Sequence, residues 1–150
     1  MKFAMAAALA LVGTSVAAQT VPDFSTASPV SGTWRYASTG DGSEATFVND
    51  IGGMQLWVHC TRATRRVSVA KPASVAAPFL NFWTSSLTRN VASSFNPATA
   101  RLTVDLASYD PLLDAIASSR GRFAVSVGTQ PALVVPPWAE ASRVIEDCRA

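Results

Sequence analysis

Few residues in this 150-residue chain have the types and spacing that chemistry needs. His59 is the single histidine and stands beside Cys60, the pairing from which a thiolate nucleophile and its base could be built. The residues around it alternate as a strand does, with Met54, Leu56, Val58 and Cys60 on one face and Gln55, Trp57 and His59 on the other. Neighbouring strand side chains point apart, so His59 is turned away from Cys60, and no third group completes a triad. Metal chemistry lacks its spacing as well, since there is neither a CxxC pair nor a second histidine. No metal ligand and no cofactor is therefore expected. Asp105, Asp110 and Asp114 cluster in sequence, and two carboxylates facing each other across a cleft would make a small carboxylate-dependent hydrolase. Asp110, however, precedes Pro111 and has a helix to cap. No G-x-S-x-G, H-E-x-x-H, P-loop or EF-hand pattern occurs, and no residue is assigned a catalytic role.

Binding chemistry has more to work with. Arg120 and Arg122 flank Gly121, and two guanidinium groups around a glycine could hold a carboxylate or phosphate. The same pentad, Ser119 to Phe123, also reads as a helix end, a left-handed glycine and a strand start, which needs no ligand. Trp57 and Trp83 fall on strand faces opposite those that carry the aliphatic residues. Exposed together they would form an apolar patch fit for a partner; covered, they would be a second buried layer of a sandwich. Arg62, Arg65, Arg66 and Lys71 form the densest basic stretch, in or beside a hairpin turn, where solvation accounts for them. The candidates for ligand or partner contact are thus Arg120, Arg122, Trp57 and Trp83.

These residues must be positioned by short extended segments separated by turn chemistry. Strands are expected at 34–36, 45–48, 54–60, 66–70, 79–84, 88–92, 101–106, 122–127 and 133–135, with turns at Thr39–Gly42, Asn49–Gly53 and Thr61–Arg65. Phe79, Asn81 and Trp83 should share one face of their strand, and Leu80 and Phe82 the other. Asp110 and Pro111 open a short helix near 111–119, with Leu112, Leu113, Ile116 and Ala117 at helical spacing. A C-terminal helix follows Pro136-Pro137, with Trp138, Ala141, Ile145 and Cys148 on one face and Arg143 and Asp147 as an i,i+4 pair. The expected class is α+β and mainly β: an antiparallel sheet or small β-sandwich with these two helices.

The N-terminus says where the chain works. Lys2, the apolar run Phe3–Val12 and the small residues Val16-Ala17-Ala18 follow the order of a cleavable secretory signal, and the run is too short for a membrane span. Residues 1–18 are read as that signal, 19–32 as a flexible Pro/Ser/Thr-rich leader, and 33–150 as a single globular domain. Eighteen removed from 150 leaves 132 residues, which suits one core. Export to the periplasm or medium puts the only two cysteines in an oxidising compartment. Both Cys60 and Cys148 point inward on their elements, so a disulfide tying the last helix to the sheet is expected. Without Lys2 there are 11 basic and 10 acidic residues. That near-neutral balance gives no case for nucleic acid or for an anionic membrane surface, and a monomer without stable membrane insertion is expected.

Several blocks together resemble a group of small exported proteins of alphaproteobacteria: Gly42–Phe47, Leu56–Val67, Asp110–Ala115 and, most specifically, Ser119-Arg120-Gly121-Arg122-Phe123 and Trp138–Arg149. The resemblance implies export and a shared fold, and carries over neither a reaction nor catalytic residues. More loosely, one cysteine ending an early strand and another near the C-terminus is similar to other secreted β-domains, periplasmic hydrolase inhibitors and secretion accessory proteins among them. The leading expectation is a non-enzymatic periplasmic or secreted protein that binds an envelope or secreted partner. An inhibitor of a lysozyme or protease, wedging in a hairpin or loop, is the alternative within binding; the carboxylate hydrolase is the alternative from enzymology.

Overall fold

Alternation of apolar and polar residues divides the chain into ten strands, and the computed structural model, which describes residues 22–150, sorts them into two antiparallel sheets. The segment read as a signal, 1–18, and the first three residues of the one read as a leader lie outside the described residues. The larger sheet has the order β1 (Gly32–Ser38), β2 (Gly42–Asn49), β3 (Met54–Thr61), β4 (Arg66–Pro72), β8 (Arg101–Ala107) and β7 (Ser94–Asn96). The smaller runs β10 (Leu133–Val135), β9 (Phe123–Ser126), β5 (Phe79–Trp83) and β6 (Thr88–Ala92). Helices α1 (Pro111–Ala117) and α2 (Ala139–Asp147) complete the domain. The expected class therefore holds: mainly β, sandwich-like, with two helices and a disulfide.

Each strand buries one side-chain row. Leu56, Val58 and Cys60 on β3, Val67 and Val69 on β4, and Leu102, Val104 and Leu106 on β8 form one wall of the core. Leu80 and Phe82 on β5 with Phe123 and Val125 on β9 face them from the small sheet. The rest of the large sheet is roofed by α2, which packs on β1, β2 and β3 through Ala141, Val144 and Ile145. Asp110 starts α1 as expected, its carboxylate accepting from the Leu112 N–H at 2.9 Å with Pro111 in the first turn. Cys60 and Cys148 are disulfide-bonded, with Cα atoms 5.4 Å apart and a sequence separation of 88.

Differences from the sequence reading have local causes. Helix α1 ends at Ala117 rather than 119, because the Ser118 hydroxyl donates back to the Asp114 carbonyl at 2.7 Å and closes the last turn. Gly121 does take the left-handed conformation, at φ +72°. Trp138 is not on the buried face of α2: it is the extended residue before the helix and is 44% exposed, and Val144 fills the interior in its stead. Arg143 lies over the Tyr36 ring, 4.0 Å from its centroid, while Asp147 accepts from the Tyr36 hydroxyl at 2.6 Å. Strand β7 had no sequence signal of its own, being three residues that pair with β8 after the chain crosses at Ser93 from the small sheet to the large one. Lys71 does not join the basic stretch. It lies at the far end of β4 from Arg66, roughly 16 Å along the strand, and is half-buried. Burial there lowers its pKa.

Residues 22–31, the described part of the segment read as a flexible leader, lie against the small sheet. Phe24 packs edge-on to Trp83, with centroids 5.9 Å apart. The Arg122 guanidinium donates to the Ala27 carbonyl, and the Val30 N–H donates to the Val134 carbonyl at 2.9 Å.

Candidate functional site

The outward row of β5 is where chemistry-bearing side chains converge. Leu80 and Phe82 fill the core, so Phe79, Asn81 and Trp83 must face away from it. Register then fixes their neighbours. Asn81 stands opposite Asn90 of β6 on one side and Ser126 of β9 on the other, while Trp83 stands between Thr88 and Ala124. The result is a polar row, Ser126–Asn81–Asn90, beside a second row centred on an indole. Phe24 and Pro22 of the N-terminal segment form one wall, and the β9–β10 turn, with Gly128 to Ala132, forms another. Together they enclose an open cavity of about 430 Å³, within the size range of small-ligand sites. Among the described residues that line it, none is ionisable.

The corner beside the cavity is stapled. Thr84 Oγ1 accepts from the Leu87 N–H at 2.9 Å and donates to the Leu87 carbonyl at 2.8 Å. Ser119 Oγ accepts from the Ser85 N–H at 3.0 Å and donates to the Arg122 carbonyl at 2.5 Å. Arg89 on β6 pairs with Asp110 at 2.6 Å. These bonds fix the β5–β6 hairpin to both ends of α1, and among the described residues no hydrogen bond engages the side-chain amides of Asn81, Asn90 or Gln130.

A shallower depression of about 340 Å³ lies on the outer face of the large sheet, floored by Trp57, His59, Ser68 and Thr103. Trp57 is only 6% exposed there, because the Arg101 guanidinium lies over its ring at 3.7 Å. His59 Nε2 is 3.1 Å from Asp41 Oδ2, and its Nδ1 is 3.7 Å from Glu44 Oε2. The Thr39 hydroxyl, and then His59, hold the Asp41 carboxyl below the usual carboxylate range. Cys60 points to the opposite face and is spent in the disulfide, so the histidine has no thiol to activate.

The sequence-selected residues separate accordingly. Trp83 lines the first cavity and Trp57 the second depression; they belong to different sheets and share no patch. The side chain of Arg122 holds the N-terminal segment through Ala27. Arg120 is exposed, and its backbone N–H donates to Ser85 Oγ at 3.0 Å. Neither arginine lines either concavity. Asp110 caps α1 and pairs with Arg89; Asp114 pairs with Arg149 at 2.8 Å; Asp105 sits exposed on the outer face of β8. Among the described residues, no group of three or more His, Cys, Asp or Glu is disposed to hold a metal ion. Phe24, Asn90, Ser126 and Gln130 were not singled out from the sequence. The one legible signal was Phe24, a lone aromatic in a Pro/Ser/Thr-rich leader.

Fold and site together describe a disulfide-tied β-sandwich with an uncharged, aromatic-walled concavity. Comparison with known protein families, with curated proteins and with solved structures finds no match.

Proposed function

We propose that this is an exported, non-catalytic binding protein of the periplasm or medium, and that it engages an envelope component through the outer face of its small sheet. The carrying observation is the roughly 430 Å³ cavity, whose wall includes Trp83 and Phe24 and whose amides lack protein partners among the described residues. A preformed concavity with an aromatic wall and a few convergent polar groups is built for recognition. The acids at 105, 110 and 114 supply no opposing pair, since two of them are held in ion pairs elsewhere. Export is supported by the disulfide and by the N-terminal pattern, and no helix among the described residues is long and apolar enough to cross a membrane.

The test uses the chain from residue 19, immobilised by its C-terminus and exposed to isolated envelope polymers and proteins. Retention should drop about tenfold in Trp83→Ala, the loss of roughly 1.4 kcal/mol of contact, and persist in Trp57→Phe. Turnover of any retained material that a single polar substitution abolishes would overturn the non-catalytic reading. Mass spectrometry of exported protein with and without reductant checks the compartment: two free thiols would refute the oxidising address.

A second reading, inhibition of a lysozyme or protease, is favoured by one observation. Ile51 is 92% exposed at the tip of the β2–β3 hairpin. Its turn is fixed by Gly53 N–H donation to Asn49 Oδ1 at 2.7 Å and by Gly52 N–H donation to the Asn49 carbonyl at 2.9 Å. Inhibition of such an enzyme by the wild type, lost in Ile51→Asp, would select this reading; activity unchanged by the wild type at high concentration would remove it.

A further inference from the structure

We infer that the cavity on the small sheet takes a neutral saccharide, with one sugar ring stacked on Trp83 and its hydroxyl edge on the Ser126–Asn81–Asn90 row. The inference rests on the binding reading above and deepens it by naming the ligand class.

The charge pattern decides first. Among the described residues no lining side chain is ionisable, so an anionic or cationic group would be desolvated with no counter-charge there to receive it. The polar pattern decides next. A purely apolar ligand would cover the amides of Asn81, Asn90 and Gln130 without satisfying them, at a cost for every donor and acceptor left unpaired. A peptide that binds by strand addition gains its affinity from main-chain bonds to a free sheet edge. The cavity floor is instead a sheet face, where β5 already bonds to β6 and β9 on both sides.

Sugar rings meet all three conditions. They present an apolar face of C–H groups to an aromatic ring and a rim of hydroxyls that donate and accept in the ring plane. Side-chain amides suit such a rim, because each offers a carbonyl acceptor and two N–H donors. Spacing agrees as well. Neighbouring strands are about 4.8 Å apart, so the three-residue polar row spans roughly 10 Å, and Trp83 lies about 7 Å from Asn81 along β5. An indole beside a polar row of that width matches a ring lying on the indole with its hydroxyls turned to the amides. Phe24, held edge-on to Trp83, closes the side of the slot toward the N-terminal segment.

The experiment titrates the chain from residue 19 with neutral β-1,4-linked trisaccharides of glucose and of N-acetylglucosamine, read by saturation-transfer NMR and calorimetry. An uncharged tripeptide serves as the comparison. At least one trisaccharide is expected to bind, with affinity falling about tenfold or more in Trp83→Ala and about tenfold in Asn90→Ala, while Trp57→Phe leaves it unchanged. Asn90 is exposed on an edge strand, so its variant remains informative should Trp83→Ala fold poorly. Silence of both trisaccharides overturns the saccharide assignment, as does binding indifferent to Trp83 and Asn90. Tripeptide binding that needs Trp83, without saccharide binding, overturns the ligand class yet leaves the binding reading standing. Envelope retention indifferent to Trp83, by contrast, removes the binding reading itself.

Discussion

Tyr36 and Asp147 show how one hydrogen bond links the first strand to the last helix. The phenol of Tyr36 donates to Asp147 at 2.6 Å across 111 residues of sequence. That hydroxyl, with the positive charges of Arg143 and Arg62, holds the Asp147 carboxyl below the usual carboxylate range. A carboxyl depressed in the folded state contributes stability above its unfolded pKa of about 3.9, and that contribution is lost as the pH falls through the folded value. Tyr36→Phe should therefore cost about 1 kcal/mol at neutral pH, a figure kept small because the pair is partly solvated. Its gap from wild type should narrow as the pH falls below about 4. Urea unfolding at a series of pH values measures this; a gap that stays constant into acid would assign the loss to packing rather than to charge. Arg122 makes a parallel case. The sequence offered it as an anion holder, but its guanidinium donates to the Ala27 carbonyl and so fastens the N-terminal segment to the small sheet. Arg122→Ala should raise hydrogen exchange at the Val30 amide roughly tenfold, as a local opening, while global stability changes by less than about 1 kcal/mol. Unaltered exchange at Val30 would mean that the Val134 bond and the Phe24–Trp83 contact hold the segment without the arginine.

Strands and turns were legible wherever local rules decide them. The alternation of Met54–Cys60 and Arg101–Leu106, the Asp110-Pro111 helix start and the left-handed Gly121 all appear where the residues placed them. What local rules cannot reach is which strands become neighbours. Alternation put Asn81 and Trp83 on one face of β5, but β5 pairs with β9 some forty residues later, and only that pairing brings Ser126 beside Asn81. The candidate site was thus half readable: its indole could be named, its polar row could not. Close approach is similarly invisible to pattern. Gly42 belongs to a turn by its sequence, yet it is the first residue of β2 and buried, and a Cβ there would come within 2.0 Å of the Cys60 carbonyl oxygen. Backbone on both sides cannot yield cheaply. Gly42→Ala should cost about 2–3 kcal/mol, the upper part of the overpacking range, and a thermal unfolding midpoint close to wild type would show that β2 and β3 can spread apart. Gly40, two residues earlier, has open space around it and serves as the control, since alanine there meets nothing.

The disulfide divides the sequence unevenly, and the division bears on function. β1 and β2 precede Cys60, whereas all four strands of the small sheet lie between Cys60 and Cys148. The cross-link therefore closes a loop that contains the whole floor of the cavity and, through α2, ties the end of that loop to the centre of the large sheet. Closing a loop of this length restricts the unfolded chain by about 4–5 kcal/mol in the chain-entropy treatment, an upper figure because residual structure in the unfolded state reduces it. Packing offers a competing account: Ala141, Val144 and Ile145 are each almost wholly buried and could hold α2 in place by themselves. The two accounts separate in the double variant Cys60→Ser, Cys148→Ser. If loop closure dominates, the urea midpoint should fall by an amount equivalent to about 3–5 kcal/mol, and hydrogen exchange should rise across β5, β6 and β9 along with α2. If packing dominates, exchange should rise only in α2 and around residue 60, whatever the midpoint loses to the two buried serine hydroxyls at about 1–3 kcal/mol each. The first outcome is expected, because the loop that the disulfide closes carries all four strands of the small sheet. Reduction would then loosen the proposed site at Trp83 as well as lower stability, so the proposed saccharide titration should weaken in the double variant.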